Sequence, residues 1–479
     1  MDCLLIHAPR QRPRFNQIMV MPAGLFSLAH GLDRRGLSVR ILHLGLISSP
    51  ERPFDLPAYL KRHRPALVGL SLHWFYSTSE VLALAEEIKR SSPHARVVVG
   101  GYTASCFAET LCAQPAVDYV IRGDGEPALA DLCSILMDAD PHPPARLSER
   151  LAEVPNLVYA SGPKRIRKNS LRCFDADLPD GQLSLFRPDL LEAASGYFST
   201  SILYKDFDDR IVSNRRDLYS NVLFYTPGRG CPFDCSFCGG SRRVQQRLFA
   251  RRKPFFFDTQ TIVTDLQRAA RHGVKTLRLS FDPDPERRRY REIFAALAKE
   301  KLRFRLVFDC WTLPRQDFVR SVQSCFTRDS LLVLSPDAGS AQIRARNKRH
   351  PAHAFSDQDL LDSLESVRDA GMGGHVFFGA GLPFEDASDL AATRRLALMI
   401  RKMGFHISVL PIDCDPCSAV FDDPRAFRVE ARARSLDDYA RWTATDRRFM
   451  GLASDTLSER QIAAFIDETV ALLNRIPGP

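Results

Sequence analysis

The sequence predicts an α/β protein with a doubly wound N-terminal domain, a partial barrel of six strand–helix units and a small helical C-terminal region. Short apolar runs alternate with helix-length amphipathic segments in both halves of the chain, which is typical of parallel sheets with crossover helices. The chain has 479 residues and is 45% hydrophobic, which suffices for two or three buried cores. A proline-containing stretch of weak periodicity separates the two halves.

Changes in this pattern set the predicted boundaries. They give a doubly wound domain at 1–145, a linker with a hairpin and a cover at 146–220, a barrel at 221–424 and a helical cap at 425–479. The charged helical segments of the cap are expected to help exclude solvent from a reactive site.

The first domain is predicted from five strands and the helices between them. The strands are Cys3–His7, Val39–Leu44, Leu67–Leu72, Arg96–Val99 and Tyr119–Ile121. The helices are Pro22–Arg35, Leu56–Arg62, Thr78–Ser91, Phe107–Cys112 and Ala128–Met137. In such folds ligands bind outside the carboxyl ends of the strands, where glycines allow close approach of the backbone. The candidate binding residues there are His73, Gly100, Gly101, Gly123 and Glu126.

The barrel is predicted to begin with the strand Val222–Tyr225. Its further strands are Thr276–Phe281, Arg305–Phe308, Leu331–Leu334, Gly374–Gly379 and Ile407–Leu410. Its helices are Thr259–His272, Pro285–Leu302, Gln316–Val322, Ser356–Ala370 and Ala387–Met403. Barrel sites lie at the carboxyl ends of the strands, so a loop that follows the first strand is expected at the open mouth.

That loop contains a closely spaced cysteine motif. Cys231, Cys235 and Cys238 form a C-x3-C-x2-C array. Three closely spaced thiolates suit a [4Fe–4S] cubane that leaves its fourth iron open. Structural zinc is the alternative, but it requires four ligands, usually in two pairs, and no second pair clearly completes this array.

The array and its flanks, Phe237 before the third cysteine and Gly239 and Gly240 after it, resemble the signature of the radical S-adenosylmethionine (SAM) superfamily. The resemblance implies that the open iron chelates SAM and that the reduced cluster cleaves it to a 5′-deoxyadenosyl radical. It also implies a one-electron reductant such as flavodoxin or ferredoxin as partner.

The N-terminal segments resemble the cobalamin-binding domain that precedes the radical SAM domain in one large subfamily. The resemblance rests on the strand followed by Gly100-Gly101 and on the run from Val117 through Gly123 to Leu129; a hairpin of the same subfamily resembles residues 156–167. The D-x-H-x-x-G motif of cobalamin mutases, which supplies an axial histidine to cobalt, is absent. Cobalamin is therefore expected without that ligand, and a vestigial domain that has lost cobalamin is the alternative.

Three further segments resemble SAM-binding elements of the family. Residues 335–340, with Asp337 and Ser340, precede Arg344 and resemble an E-S-G-S segment with aspartate in place of glutamate. Gly381 and Pro383 belong to a segment like G-L-P-x-E-T, which alternatively is a turn that opens a helix. Asp282 follows the second barrel strand, where it is a candidate for SAM's amino group or a helix cap.

Three cysteines outside the array are candidates for a catalytic, substrate-side role. Cys414 and Cys417 form a C-x2-C pair after the last barrel strand, and Cys310 follows the third strand. A soft-element substrate, zinc or two unremarkable thiols would each explain the pair.

The composition narrows the class of partner. The net charge is +9, but the arginines are dispersed without aromatic interleaving or a nucleic-acid module, so we expect no nucleic-acid partner. The sequence contains no long apolar run and no secretory leader, so we expect a cytoplasmic enzyme with a small-molecule substrate.

Together these features predict a cobalamin-dependent methyltransferase that acts on a small metabolite or natural-product intermediate. The alternative is a radical SAM enzyme with a vestigial cobalamin domain. Such an enzyme would transfer the 3-amino-3-carboxypropyl group of SAM, for example to an arsenical, or rearrange its substrate.

Overall fold

The structure is a computed structural model that describes residues 1–8, 22–49, 51–138, 144–162, 165–174, 183–199, 222–444 and 452–478. The chain divides into two compact units. Unit 1 comprises 1–199, 244–252 and 433–447, and unit 2 comprises 200–243, 253–432 and 448–479. Each unit is built from a mainly parallel sheet and helices, which confirms the predicted α/β class. Within these ranges no helix combines the length and the apolar character that a membrane crossing requires.

Unit 1 contains a seven-stranded sheet in the order β2-β1-β3-β4-β5-β6-β7. The strands are β1 (Cys3–His7), β2 (Val39–His43), β3 (Leu67–Ser71), β4 (Arg96–Gly100), β5 (Tyr119–Ile121), β6 (Leu157–Gly162) and β7 (Arg165–Lys168). The first five are parallel and almost continuously buried, because helices cover both faces of a doubly wound sheet. All five predicted strands are confirmed, with ends displaced by at most one residue.

The hairpin that the sequence placed in the linker instead extends this sheet. β6 pairs antiparallel with β5, and β7 pairs antiparallel with β6. Leu157, Val158 and Tyr159 are buried, so β6 supplies an apolar edge that completes the core. The strand was not predicted because prolines and a polar turn surround its apolar residues, and such a composition is typical of a linker.

The helices of unit 1 follow the predicted pattern, with four short or unpredicted additions. They span Ala23–Arg34, Leu44–Ile47, Leu56–His63, Thr78–Ser91, Tyr102–Cys106, Ala108–Cys112, Glu126–Met137, Pro144–Glu153 and Ala194–Ser199. Asp55 accepts a hydrogen bond from the Ala58 amide and so caps the third of them. The predicted helix Phe107–Cys112 is preceded by a separate short helix, and Pro144–Glu153 was not predicted.

Two later segments of the chain return to unit 1. The helix Leu436–Thr443 packs Tyr439 against Phe75 and Phe107, although the sequence assigned it to the C-terminal cap. Residues 244–252 cover the carboxyl edge of β4 and β5, where the Arg251 guanidinium forms a buried ion pair with Asp124. Unit 1 is therefore discontinuous in sequence.

Unit 2 contains a six-stranded parallel sheet in the order β15-β14-β13-β12-β11-β8. The strands are β8 (Val222–Tyr225), β11 (Thr276–Leu279), β12 (Arg305–Cys310), β13 (Leu331–Asp337), β14 (Gly373–Ala380) and β15 (His406–Pro411). Short strand pairs β9 (Gly228–Arg229) with β10 (Phe255–Phe256), and β16 (Val429–Ala431) with β17 (Leu452–Ser454), lie outside it. Each strand of the sheet pairs with its neighbour in sequence, as predicted for a partial barrel of six strands.

Helices follow each strand of this sheet along the chain. They span Arg242–Phe249, Thr259–Arg271, Arg288–Lys299, Gln316–Cys325, Ala341–Lys348, Asp357–Asp369, Ala387–Lys402, Ala419–Asp422 and Glu459–Leu473. The first of them continues into the 244–252 segment of unit 1. The last packs on the barrel, where its Glu468 and Thr469 accept hydrogen bonds from Arg394.

The Arg251 ion pair provides a test of the discontinuous unit. Arg251 is 3% exposed and also donates to Gln245 Oε1 over 2.7 Å. Replacement by methionine leaves the Asp124 carboxylate buried without its guanidinium, so we expect Arg251→Met to lower the free energy of unfolding by about 3–5 kcal/mol. Urea unfolding would measure this loss. Lys168→Met, which breaks the exposed pair with Glu109, is the matched control and should cost at most about 1 kcal/mol; equal losses in both variants would contradict the prediction.

Candidate functional site

The three array cysteines lie in the loop after β8, at the carboxyl edge of the unit 2 sheet. All three are partly buried. Burial raises the pKa of Cys231 to about 12 and that of Cys235 to about 11, and it raises the pKa of Cys238 well above its usual value. The thiols of Cys231 and Cys235 also raise the pKa of Cys238, so the three side chains lie within electrostatic reach of each other.

The described residues provide no compact site for a single ion. No three Cys, His, Asp or Glu side chains among them are placed to hold one metal ion together. This gives the zinc alternative no support within the described ranges. In a cubane, by contrast, the thiolates bind different iron atoms and need not converge on one point.

Ser236 anchors the cysteine loop to the rest of unit 2. Its amide donates to the Asn347 carbonyl over 2.8 Å, and its hydroxyl donates to Asn347 Oδ1 over 2.6 Å. Its carbonyl accepts from the Val420 amide over 3.0 Å, and Asn347 Nδ2 donates to the Pro383 carbonyl over 3.0 Å. Because Ser236 and Asn347 are both about 99–100% buried, these bonds are shielded from competing water.

Gly239 and Gly240 complete the loop with two backbone hydrogen bonds. The Gly240 amide donates to Cys238 Sγ over 3.3 Å, and the Gly239 amide donates to the Asp415 carboxylate over 2.9 Å. A Cβ atom at Gly239 would lie 3.0 Å from Asp415 Cβ and from the Pro416 carbonyl oxygen. Desolvation raises the pKa of Asp415 to about 7. The loop after β15 is thus packed against the cysteine loop.

Phe237 joins the strand ends that the sequence singled out. Phe237 and Ile412 both pack against an apolar cluster formed by Ala338, Ile343 and Leu382. These residues follow β13, β14 and β15. The structure therefore brings the E-S-G-S-like and G-L-P-like segments together beside the cysteine loop.

The segment after β13 holds an ion pair in place of a free carboxylate. Asp337 has a left-handed backbone, with φ of 65°, and its carboxylate lies 2.8 Å from Lys348 Nζ. Ser340 caps the helix Ala341–Lys348 by accepting from the Ile343 amide. Arg344 is 1% exposed and donates to the carbonyls of Ala338 and Phe355 and to Asp357, so its hydrogen bonds support the fold around the segment.

The turn after β14 is closed by a buried glutamate. Glu385 Oε2 accepts from the amides of Gly381 over 2.7 Å and Leu382 over 3.1 Å. Gly381 has a φ of 84°, and a Cβ there would lie 2.8 Å from Ile462 Cδ1, so glycine is required. Pro383 contributes its carbonyl to Asn347.

Asp282 and Cys310 lie together in a buried cluster on the helix side of the sheet. Asp282 is 0% exposed and pairs with the buried Arg287 over 2.6 Å, and it also accepts from the Trp311 amide. Burial raises the pKa of Cys310, whose strand neighbour Phe308 packs on the outer helices. Neither placement supports the SAM contact proposed for Asp282 or the catalytic role proposed for Cys310.

The second cysteine pair is buried after β15. Cys414 belongs to an apolar cluster with Val420, Val429 and Leu452 and is 2% exposed. Cys417 is 5% exposed and has a left-handed backbone, with φ of 65°. These surroundings give no support to an accessible thiol pair that receives a soft-element substrate.

In unit 1, aromatic and imidazole side chains gather at the carboxyl edge of the sheet. His7 ends β1 and lies 4.6 Å from His43 between ring centroids, and burial lowers its pKa well below the usual value. After β3, His73 contacts Trp74 and Tyr102, and desolvation lowers the pKa of His73 to about 4. Trp74 is 46% exposed although it is a large apolar side chain.

The glycines of this edge shape the backbone. Gly101 has a φ of 118°, and a Cβ there would lie 2.6 Å from the Leu72 carbonyl oxygen, whereas a Cβ at Gly100 would meet only Ile121 O at 3.6 Å. The Gly123 amide donates to Ser105 Oγ over 2.9 Å. Glu126 is 8% exposed and accepts from Ser27 Oγ over 2.7 Å, so its carboxylate is held inside unit 1.

Family models match both halves of the chain. A model described as B12 binding domain matches residues 19–133, and one described as Radical SAM superfamily matches residues 225–397, which together cover more than half of the chain. The second match contains the cysteine loop. The chain belongs to the radical SAM superfamily. Within it, the chain falls in the subfamily with an N-terminal B12-binding domain.

One curated protein is similar to this chain in sequence. The hopanoid C-3 methylase of Methylococcus capsulatus is 29% identical over 258 residues, which are 53% of this chain and 41% of that protein. The chain thus spans about two fifths of the length of this curated relative.

Two solved structures are also similar. The radical SAM methyltransferase TsrM from Kitasatospora setae, with cobalamin and a [4Fe–4S] cluster bound, has a TM-score of 0.68 at 16% identity over 100% of this chain and 90% of its own. The cobalamin-dependent enzyme OxsB has a TM-score of 0.61 at 13% identity over 94% of this chain and 56% of its own. At these identities the likeness concerns the fold alone.

Several residues that build the site were not singled out from the sequence. Ser236, Asn347 and Asp415 make hydrogen bonds that join the strand-end loops, and Glu385 closes the turn after β14. Their only sequence signal is position, because each lies within or directly after a recognised motif. Lys348 was noted without a role, since its pairing with Asp337 depends on the unpredicted helix Ala341–Lys348.

Glu385 provides a pH test of the site. Burial raises the pKa of Glu385 to about 8, whereas an unfolded chain ionises glutamate near about pH 4.3. Between these values the folded state binds more protons, so the contribution of Glu385 to the free energy of unfolding falls as the pH rises. Glu385→Gln removes this titration.

We therefore expect the unfolding free energy of Glu385→Gln, relative to wild type, to rise from about pH 5 to about pH 8. The slope should be on the order of 1 kcal/mol per pH unit, as measured by urea unfolding. Glu365→Gln, which removes an exposed carboxylate of the helix Asp357–Asp369, is the control. A difference between Glu385→Gln and wild type that does not change with pH would contradict the prediction.

Proposed function

We propose that the chain is a cobalamin-dependent radical SAM methyltransferase that acts on a small metabolite or natural-product intermediate. The observation that carries the proposal is the combination of a three-cysteine loop at the mouth of a six-stranded partial barrel with an N-terminal B12-binding domain. The named similar proteins, a hopanoid methylase and a radical SAM methyltransferase, support methyl transfer as the reaction class.

The donor set of the cysteine loop fits an iron–sulfur cluster. Cys231, Cys235 and Cys238 offer three thiols, and the Gly240 amide already donates to one of the sulfurs. Hydrogen bonds to the sulfurs and partial exclusion of solvent are the means by which proteins tune such clusters. The high pKa values of the free thiols mean that cluster binding would displace protons.

The carboxyl edge of unit 1 fits a large flat cofactor. Gly100 leaves the backbone after β4 approachable, and Trp74 and Tyr76 expose about half of their surfaces, 46% and 50%. Exposed aromatic side chains of this size commonly mark binding surfaces. The imidazole of His73 lies beside Trp74, so the edge combines apolar contact area with one polar ring.

When bound, the cluster would supply an electron for cleavage of SAM, and cobalamin would carry a methyl group. The chain's own contribution would be to hold and shield these groups. Cys231, Cys235 and Cys238 would hold the cluster, and Phe237, Gly239 and Gly240 would shape the cavity around it. Ser340, Gly381 and Pro383 would fix the backbone that faces SAM. The electron would come from an external one-electron donor such as flavodoxin or ferredoxin, and a reducing cytoplasm would suit such a reaction.

The alternative functions lack a specific structural observation in their favour. Transfer of an aminocarboxypropyl group to an arsenical was suggested by the Cys414/Cys417 pair, and Cys414 packs in an apolar cluster. A substrate rearrangement would use the same cluster and would differ in its products. Analysis of the SAM-derived products by mass spectrometry separates these reactions from methyl transfer.

The cluster is tested by Cys235→Ala. We expect the anaerobically reconstituted wild type to bind about four iron atoms per chain and to cleave SAM under reducing conditions. Cys235→Ala should lose the cluster absorbance and the cleavage activity, because one iron loses its thiolate. Cys325→Ala, which removes a thiol at the end of the helix Gln316–Cys325, is the control and should retain both. Wild-type protein that binds no iron or leaves SAM intact would overturn the proposed function.

The corrinoid is tested by hydroxocobalamin. After incubation and gel filtration, we expect the wild type to retain the corrin absorbance. Trp74→Ser should weaken binding about tenfold, because about 0.5–1.5 kcal/mol of aromatic contact is lost in addition to buried area. Met399→Ser removes an exposed apolar side chain of unit 2 and is the control. Wild-type protein without corrin absorbance would overturn the cobalamin part of the proposal, and equal binding by both variants would remove Trp74 from the site.

A further inference from the structure

The C-terminal end of the helix Ala341–Lys348 is docked on the cysteine loop. Asn347 and Lys348 are its last two residues, and Asn347 makes the two hydrogen bonds to Ser236. The next residue, Lys348, places its carbonyl oxygen 3.9 Å from Cys235 Sγ. The negative end of a helix dipole therefore lies beside the Cys235 thiol.

Lys348 brings a positive charge to the same place. Its side chain is 9% exposed, and Nζ donates to the Ser335 carbonyl over 2.6 Å and pairs with Asp337 over 2.8 Å. Both partners belong to β13. The ammonium group is thus held by two contacts on a strand end, and it has little freedom to move towards solvent.

The geometry brings the charge of Lys348 close to the cysteine loop. Its own carbonyl oxygen lies 3.9 Å from Cys235 Sγ, and its ammonium group is held inside unit 2 by the contacts with Ser335 and Asp337. A charge that is shielded from water acts more strongly on its surroundings than one at the surface. Lys348 and Asp337 carry opposite charges, so each opposes the effect of the other on the cysteine sulfurs.

We infer that the buried Lys348–Asp337 pair sets the reduction potential of the cluster held by the cysteine loop. Addition of one electron makes the cluster more negative, so a nearby positive charge favours the reduced form and a nearby negative charge opposes it. Because both side chains are shielded from water, screening by salt is weaker than at the surface. The positive charge of Lys348 opposes the effect of the negative helix end on the cluster, and the negative charge of Asp337 weakens the effect of Lys348.

The inference rests on the proposed cluster. Its test neutralises Lys348 and Asp337 separately and then together. Lys348→Gln removes the positive charge and should shift the midpoint potential to a more negative value. Asp337→Asn removes the negative charge and should shift it to a less negative value. The double variant Lys348→Gln/Asp337→Asn keeps two neutral hydrogen-bonding side chains and should have a potential between those of the two single variants, because the two shifts have opposite signs.

The measurement is a redox titration of the reconstituted proteins, followed by electron paramagnetic resonance of the reduced cluster and carried out without SAM. Absence of SAM keeps any direct contact of Asp337 with that molecule out of the result. Arg346→Gln is the control, because Arg346 lies on the same helix and carries the same charge but is exposed. Its potential should remain that of the wild type.

The outcomes separate the inference from the proposed function. Wild-type protein that binds no iron overturns both. A wild-type cluster whose potential shifts in the same direction in both single variants, or no further than in Arg346→Gln, overturns the role of the pair and leaves the proposed function standing. If one single variant fails to retain iron, the other decides: a shift opposite in sign to the one stated, or no larger than in Arg346→Gln, would overturn the inference.

Discussion

The hydrogen bonds between Ser236 and Asn347 are the constraint on which the site of unit 2 depends. Ser236 lies between the second and third cysteines, and Asn347 lies at the end of a helix that follows β13. Asn347 also binds the Pro383 carbonyl after β14, and Ser236 accepts from Val420 after β15. Two buried residues that contact each other thereby connect the cysteine loop to three other strand ends.

Several charged groups near the site are buried in ion pairs. Arg287 with Asp282, Arg344 with Asp357, and Lys348 with Asp337 are pairs in which at least one side chain is almost wholly shielded. A buried pair gains little net stability, but removal of one member is costly. The pairs therefore fix the geometry of the loops around the site, and a loop with the wrong geometry would leave a charge without its partner.

The sequence predicted the fold well where the periodicity was strong. The strand β1 and the helix Thr78–Ser91 have the predicted bounds, since β1 is a continuous apolar run and the helix has a clear apolar face. The strand β6 was placed in a linker because its apolar residues are followed at once by a polar turn. The helix Ala341–Lys348 was missed because Arg344, Asn347 and Lys348 are polar residues that are nevertheless buried.

The candidate site was predictable to the extent that its chemistry is local. The three cysteines and their flanking glycines are adjacent in sequence, and the family match confirms the segment to which they belong. The partners of Asp282, Asp337 and Cys310 come from contacts that form only in the folded chain. Roles assigned to single residues on strand ends therefore remain predictions. In the structure Asp282 and Asp337 form ion pairs, and Cys310 is buried.

The discontinuity of unit 1 has a consequence for how the protein is made. Its sheet is finished within the first 199 residues, yet the segments 244–252 and 433–447 belong to the same unit. A chain emerging from the ribosome therefore exposes the surface that binds Arg251 until residue 251 has been synthesised, and the surface that binds Tyr439 until residue 439 has followed. Contacts between residues so distant in sequence form slowly, and domains that wait for late segments are prone to aggregate. Expression of the first unit alone as a soluble fragment would have to overcome the same exposure.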